Sequence, residues 1–107
     1  MEEFFRGFEK NAFFWNKKKK EGVMPTEGKN LVVFHAKWSQ VSTDYIKRLD
    51  RENLPGVTVV TIDVDKHPSL ATASGVRGLP TTMLVGDGVT KKTWVGVQPM
   101  EEIKREL

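Results

Sequence analysis

The chain has 107 residues, enough for one domain with a modest core, and its 38% hydrophobic and 29% charged residues are typical of a globular protein. Its net charge of +3 is too small to argue for nucleic acid, and the absence of cysteine excludes disulfides and thiolate metal sites. With only two histidines, a histidine-rich metal site is not expected either, and no cofactor is predicted.

The first 20 residues carry an aromatic stripe with the spacing of an amphipathic helix. At about 100° per residue, one face of residues 3–20 collects these apolar side chains: Phe4, Phe5, Phe8, Ala12 and Trp15. Gly22 and Pro25 then end the segment, and residues 21–30 are predicted to form a loop. We therefore predict that residues 1–22 form an amphipathic helical segment that covers one face of a sheet.

Other features of this segment bear on partners and location. Phe13 and Phe14 lie outside the stripe and are candidates for contact with a partner, or with a second copy of the chain in a homodimer. The lysines at 17–20 are interpreted as a solvated helix end, with binding to an anionic surface as the alternative. The acidic start, Met1-Glu2-Glu3, is followed by no unbroken apolar stretch. Neither a secretory signal nor a membrane span is predicted, and the expected location is the cytoplasm.

The middle of the chain alternates between buried strands and a helix. The run LVVFHA, residues 31–36, predicts a strand covered on both faces, and VTVVTIDV, residues 57–64, predicts a second. A helix between them begins at Ser39, because apolar residues recur every four positions from Val41 to Leu49.

The last third of the chain contains a helix, a hairpin and a final helix. A short helix within residues 65–75 precedes a hairpin over residues 76–97, whose turn is Gly86-Asp87-Gly88. Pro99 opens the final helix, where its missing N–H costs nothing. The order of elements predicts an α/β fold, with a central mixed β-sheet of about four strands flanked by helices on both faces.

Three motifs in this order resemble the thioredoxin family. LVVFHAKWS, residues 31–39, is similar to the strand that leads into the family's W-C-x-x-C active site. TIDVDKHPSLATASGVRGLPTTMLVGDG is similar to the next strand, short helix and cis-proline loop, and WVGVQPMEEIKREL to the terminal strand, glycine and helix. The resemblance implies a thioredoxin fold in a single domain, residues 1–107, with the core at residues 29–107. The family's N-terminal strand is expected to be short or absent, because MEEFFRGF lacks strand alternation.

The chain departs from the family at the active site, where Trp38-Ser39-Gln40-Val41-Ser42 replaces W-C-x-x-C. The resemblance places Ser39 at the position of the nucleophilic cysteine and Ser42 at that of the resolving cysteine. A cysteine at a helix N-terminus has a pKa lowered from about 8.5 to about 7 or below, and its thiolate attacks a disulfide. A serine hydroxyl forms no stable S–S bond, so the chain is expected to be inactive as a dithiol oxidoreductase.

Two origins of the serines remain open. Paired replacement by the closest steric match favours an oxidoreductase parent with cysteine at both positions, engineered to serine. The resemblance also identifies Val33 and Val59 with a buried acid and its lysine companion, and these apolar residues favour a natural binding or adaptor module that lost redox chemistry. Ser39 also fits the plain structural role of a helix N-cap.

By resemblance, Pro80 is the cis-proline beside which the family binds extended protein chains. The residues that the resemblance assigns to substrate binding are Trp38, Gln40, Val41, Leu79, Pro80, Thr81 and Gly96. The expected partners are proteins bound at this groove, and a cysteine-bearing parent would also need a thioredoxin reductase-type electron donor. A nucleophile pair of Ser39 and His35 is a weaker alternative, because no third partner or oxyanion motif is visible.

Overall fold

A computed structural model describes residues 17–107 as alternating strands and helices. In chain order these elements are β1 (Lys17–Glu21), β2 (Lys29–His35), α1 (Gln40–Arg51), β3 (Val57–Asp63), α2 (Pro68–Ala73), β4 (Thr81–Gly86), β5 (Val89–Val95) and α3 (Met100–Glu106). None of the helices in this part of the chain is long and apolar enough to cross a membrane.

The strands form one mixed sheet in the order β1-β3-β2-β4-β5. β1 and β2 run parallel to β3, whereas β4 is antiparallel to β2 and β5 is antiparallel to β4. The predicted α/β class and thioredoxin fold are confirmed, with five strands where about four were expected.

Side chains that alternate along the strands build a core on each face of the sheet. On one face, strand residues such as Leu31 and Val33 pack against Tyr45 and Leu49 of α1 and Ile103 of α3. On the other face, residues such as Phe34 and Ile62 pack against Leu70 and Ala71 of α2 and against Leu79. Helices therefore cover both faces, as the apolar strand sequences predicted.

The predicted N-terminal helix is wrong for its last residues, because Lys17–Glu21 is the strand β1. β1 pairs with β3 from Lys17 opposite Val57 to Glu21 opposite Thr61, and it forms an edge of the sheet. The helical stripe was defined by the aromatic residues, and the lysine run carries none of them. Lysine is common on edge strands because it discourages pairing with other chains. The rest of the predicted helix, with Phe4, Phe5, Phe8, Ala12, Phe13, Phe14 and Trp15, and the homodimer expected from these aromatics, lie outside the described residues.

The strand register corrects one residue that the resemblance implied. Val33 lies opposite Thr61 of β3, whereas Val59 lies opposite Leu31. Thr61, and not Val59, therefore stands in the row of Val33. On its other side, Val33 lies opposite Thr82 of the antiparallel strand β4.

The hairpin and the final helix follow the sequence prediction. Asp87 (φ 49°) and Gly88 (φ 82°) both adopt positive φ between β4 and β5, the combination that a two-residue hairpin turn requires. Pro99 is the N-cap of α3, and Met100 and Ile103 are buried.

Candidate functional site

The N-terminus of α1 is organised by Ser39. Its backbone is extended (φ −96°, ψ 99°), and its Oγ accepts a hydrogen bond from the N–H of Ser42 at 3.3 Å. Its carbonyl accepts from the N–H of Thr43 at 3.0 Å, the first bond of the helix. Ser39 is thus an N-cap, which confirms both the predicted start of the helix and the plain structural reading of this serine.

Ser42 is fully buried one turn further along the helix. Its Oγ accepts a hydrogen bond from the N–H of Ala36 at 3.2 Å and lies within donor distance of the carbonyls of Ala36 (3.2 Å) and Ser39 (3.0 Å). The hydroxyl therefore links the end of β2 to the first turn of α1. It has no free face for a substrate.

The Trp38 groove is an open depression of about 320 Å³ beside Ser39. It is lined by Trp38, Ser39, Val64, Ala71, Val76, Arg77, Gly78 and Leu79. The indole of Trp38 is 71% exposed, which is unusual for so large an apolar side chain. The structure thus brings the start of α1 and the loop before β4 to one surface.

The loop before β4 is fixed from two sides. The Leu79–Pro80 peptide bond is cis, and the carbonyl of Pro80 accepts a hydrogen bond from the N–H of Gly96 at 2.8 Å. The hydroxyl of Thr81 donates to the carbonyl of Gly78 at 2.6 Å. Pro80 and Thr81 are buried, whereas Leu79 is partly exposed and supplies the accessible part of this loop.

The Val97 groove lies beside the first turns of α1 and measures about 250 Å³. It is lined by Val41, Asp44, Tyr45, Arg48 and Val97. Val41 is 55% exposed, whereas the amide of Gln40 is bound to Asp44 Oδ1 at 2.8 Å. Gly96 (φ 89°) lies between Val95 and Val97, and its bond to Pro80 holds both valines near the two grooves.

The sequence interpretation missed four residues of this surface: Arg48, Arg77, Val95 and Val97. The two valines are 61% and 49% exposed, although a valine beside a strand end reads as core in the sequence. Val95 is the last residue of β5, an edge strand of the sheet, and Val97 lies in the loop that follows it. The arginines gave no signal because single surface cations are common.

The two residues of the alternative pair, Ser39 and His35, line different grooves. His35 lines a different groove, with Glu21, Asp63 and His67, whereas Ser39 lies in the Trp38 groove and its Oγ is bound to the N–H of Ser42. Among residues 17–107 no cluster of histidine and carboxylate side chains could hold a metal ion.

A buried row of the sheet contains three side chains with polar atoms. Thr61, Val33, Thr82 and Trp94 lie side by side across four strands. Among the described residues, Thr82 Oγ1, Trp94 Nε1 and Tyr45 Oη are buried atoms without a hydrogen bond of normal geometry. Burial raises the pKa of Tyr45 above its ordinary value of 10.0, although the Thr82 hydroxyl, Arg48 and the Gln98 backbone act in the opposite direction.

Alkaline titration tests the environment of Tyr45. The chain has one tyrosine, so tyrosinate absorbance reports this residue alone. We expect it to ionise above pH 10, because its pKa is raised in the folded chain. Since the unfolded chain ionises first, this residue lowers the stability of the fold as the pH rises through 10. Tyr45→Phe removes that loss. Above pH 10 the free energy of unfolding of the variant should therefore rise relative to that of the original chain. A difference that stays constant with pH would contradict the raised pKa of Tyr45.

The fold and the site together define a class, that of thioredoxin-fold domains with a helix N-terminus facing a cis-proline loop. The sequence matches the thioredoxin family profile over residues 14–107. It is 31% identical to a thioredoxin of Rhodospirillum rubrum over 86 residues, covering 78% of this chain and 83% of the relative. It is 32% identical to a thioredoxin of Bacillus subtilis (strain 168), covering 74% and 79%. The chain belongs to the thioredoxin family.

Solved structures agree with this assignment. A mutant thioredoxin from Halobacterium salinarum NRC-1 superposes with a TM-score of 0.67 at 28% identity, covering 85% of this chain and 87% of the other. A thioredoxin of Malassezia sympodialis superposes with a TM-score of 0.71 at 19% identity, covering 82% and 89%, which shows the shared fold. This chain itself contains no cysteine.

Proposed function

We propose that this chain binds extended protein segments on a thioredoxin scaffold and, as its sequence stands, performs no thiol–disulfide exchange. The observation that carries the proposal is the shared surface of the α1 N-terminus and the Leu79–Pro80 loop, where Trp38, Ser39 and Leu79 line one groove. Backbone of the Leu79–Pro80 loop, before β4 begins, would pair with an extended segment, and the exposed apolar side chains around it would hold the segment's side chains.

The proposal assigns roles to the residues of this surface. Ser39 and Ser42 occupy the positions of the family's nucleophilic and resolving cysteines. Trp38, Val41 and Leu79 supply apolar contact, and the backbone of the loop that they border supplies hydrogen bonds. The full set proposed for substrate binding is Trp38, Gln40, Val41, Leu79, Pro80, Thr81 and Gly96.

Two versions of this function differ in the origin of Ser39 and Ser42. In the first, the chain is the scaffold of a protein disulfide reductase, reduced in its cysteine form by a thioredoxin reductase-type donor and inactivated by engineered serines. In the second, it is a natural adaptor module. The isosteric pair of replacements supports the first, and the apolar Val33 in the row of Thr61 and Thr82 supports the second. Both versions keep protein partners and a cytoplasmic location, and neither includes nucleic acid or a membrane.

Restoring both thiols separates these versions. The double variant Ser39→Cys, Ser42→Cys is assayed for reduction of insulin disulfides with dithiothreitol as the electron source. In the first version we expect turnover, because a thiolate at the helix N-terminus attacks the disulfide and the second thiol resolves the mixed disulfide. The matched control is Ser39→Cys alone, reduced first and then assayed without dithiothreitol, which should form the mixed disulfide and then stop because no second thiol is present to resolve it.

The result is informative only for folded protein, so circular dichroism and the urea midpoint of each variant are compared with those of the original chain. A folded double variant without turnover contradicts the disulfide reductase version and leaves the adaptor. A folded Ser39→Cys variant that forms no mixed disulfide with any protein disulfide contradicts the shared proposal of a segment-binding groove.

A further inference from the structure

The two grooves beside α1 each combine apolar walls with one arginine. Arg77 lines the Trp38 groove, and Arg48 lines the Val97 groove. The grooves are neighbours, because Val95 lies close to Gly78 of the first while Val97 belongs to the second. The bond between Gly96 and Pro80 holds this junction together at 2.8 Å.

Three cations of the chain are already engaged by carboxylates. Lys92, Lys104 and Arg105 all form ion pairs with glutamates, at distances between 2.7 and 3.8 Å. Within the described part of the chain, Arg48 and Arg77 are exposed and form no such pair. The carboxylate nearest in the Val97 groove, Asp44, is bound by the amide of Gln40.

We infer that the segment bound at this surface is acidic, with an apolar centre at the Leu79–Pro80 loop and carboxylates on both sides. One carboxylate reaches Arg77 and the other reaches Arg48. A planar guanidinium suits this task because it binds a carboxylate through two parallel N–H bonds. This inference rests on the proposed function, since it names the partner of the same grooves.

The charge pattern excludes the opposite preference for a basic segment. Lysines in a bound peptide would place like charges beside Arg48 and Arg77. Among the described residues, Asp44 is the one carboxylate that lines either groove and could attract such lysines. Exposed ion pairs contribute about 0.2–1 kcal/mol each, so two of them give a preference of about 2- to 30-fold. The effect is one of selectivity more than of affinity.

The test uses the Ser39→Cys variant and three peptides of equal length. Each peptide has a central cysteine that carries thionitrobenzoate as a mixed disulfide, flanked on both sides by alanine and then by glutamate, glutamine or lysine. The protein thiolate attacks the peptide sulfur, a protein–peptide disulfide forms, and thionitrobenzoate leaves and is measured by its absorbance. Each rate is divided by that of the same peptide with an uncharged small thiol, which removes intrinsic differences in reactivity.

We expect the glutamate peptide to react several-fold faster than the glutamine peptide and the lysine peptide to react most slowly, with the differences shrinking at high salt. Arg77→Glu and Arg48→Glu should each reduce the preference, and together they should reverse it. Lys91→Glu is the matched control: it makes the same change in charge near Gly86, at the far end of β4, and should leave the preference intact. In the original chain, serine-centred versions of the peptides should shift the NMR signal of the Trp38 indole in the same order.

Two outcomes overturn the inference in distinguishable ways. Equal normalised rates for the three peptides, all faster than for a small neutral disulfide, remove the acidic preference and leave the proposed function standing. Rates no faster than for the small disulfide with every peptide remove the groove itself, and the proposed function fails with it. If Lys91→Glu reduces the preference for the glutamate peptide as strongly as Arg77→Glu does, the preference reflects the overall charge of the protein. That outcome also overturns the inference.

Discussion

Replacing Val33 with aspartate will destabilise the fold by about 3–5 kcal/mol at neutral pH, and the loss will depend strongly on pH. Val33 is fully buried between Thr61 and Thr82 in the centre of the sheet. Aspartate is close to valine in size, so the main cost is the burial of a charge and not a steric clash. The hydroxyls of Thr82 and Tyr45 lack partners and offset only part of that cost.

The sign of the pH dependence follows from burial. Burial raises the pKa of the new carboxyl above the value of about 3.9 that it has in the unfolded chain. Below about pH 4 the carboxyl is protonated in both states and its charge costs nothing. As the pH rises toward the folded-state pKa, only the unfolded chain loses the proton freely, and stability falls by up to about 1.4 kcal/mol per pH unit.

Val33→Asn is the matched control, because it has the same shape and does not titrate. Urea denaturation from about pH 4 to pH 8 should show a constant loss for asparagine and a growing loss for aspartate. Parallel curves would mean that the buried donors hold the carboxylate as well as water does, and the argument from burial would be wrong. Valine at this position avoids the cost that a buried acid would bring.

Much of the core could be predicted from the sequence because its strands are unambiguous. LVVFHA and VTVVTIDV are long apolar runs that only a doubly covered strand explains, and they became the centre of β2 and β3. Asp87-Gly88 fixed the hairpin, since few residue pairs adopt positive φ at both positions.

The strand β1 could not be predicted because its own side chains show no apolar alternation or other strand pattern. Lys17–Glu21 is polar throughout, and it forms a strand because β3 offers it a parallel edge. Local patterns do not report such pairing, which depends on a partner 40 residues away along the chain.

The site was predictable in part. The N-cap at Ser39 and the exposed Trp38 follow from the motif, whereas the unpaired arginines and the valines beside Gly96 depend on how distant loops meet. Motif spacing also misplaced the companion of Val33, since it did not fix the register between β2 and β3, which puts Thr61 opposite that residue. Register depends on the whole sheet and is weakly encoded where several valines follow one another.

Ser42→Ala will cost more stability than Ser39→Ala, although Ser39 is the capping residue. In the original chain the Ser42 hydroxyl accepts the N–H of Ala36 in a fully buried position. Alanine leaves that N–H without a partner, and we expect a loss of about 1–3 kcal/mol in the free energy of unfolding. Ser39 is only half-buried, so water can replace its Oγ, and Ser39→Ala should lose about 1 kcal/mol. Urea denaturation followed by tryptophan fluorescence measures both, and an equal or larger loss for Ser39→Ala would contradict the role assigned to the buried hydroxyl.

Ser42→Cys extends this comparison to the origin of the serines. A thiol is larger than a hydroxyl and is a weaker hydrogen-bond acceptor for the N–H of Ala36. If the space around position 42 was shaped for sulfur, the variant should be as stable as the original chain or more so, since the sulfur regains packing that compensates for the weaker bond. If the space is shaped for a hydroxyl, Ser42→Cys should lose stability toward the level of Ser42→Ala. The first result supports a parent oxidoreductase with cysteine at this position, and the second supports a natural binding module, independently of any assay of turnover.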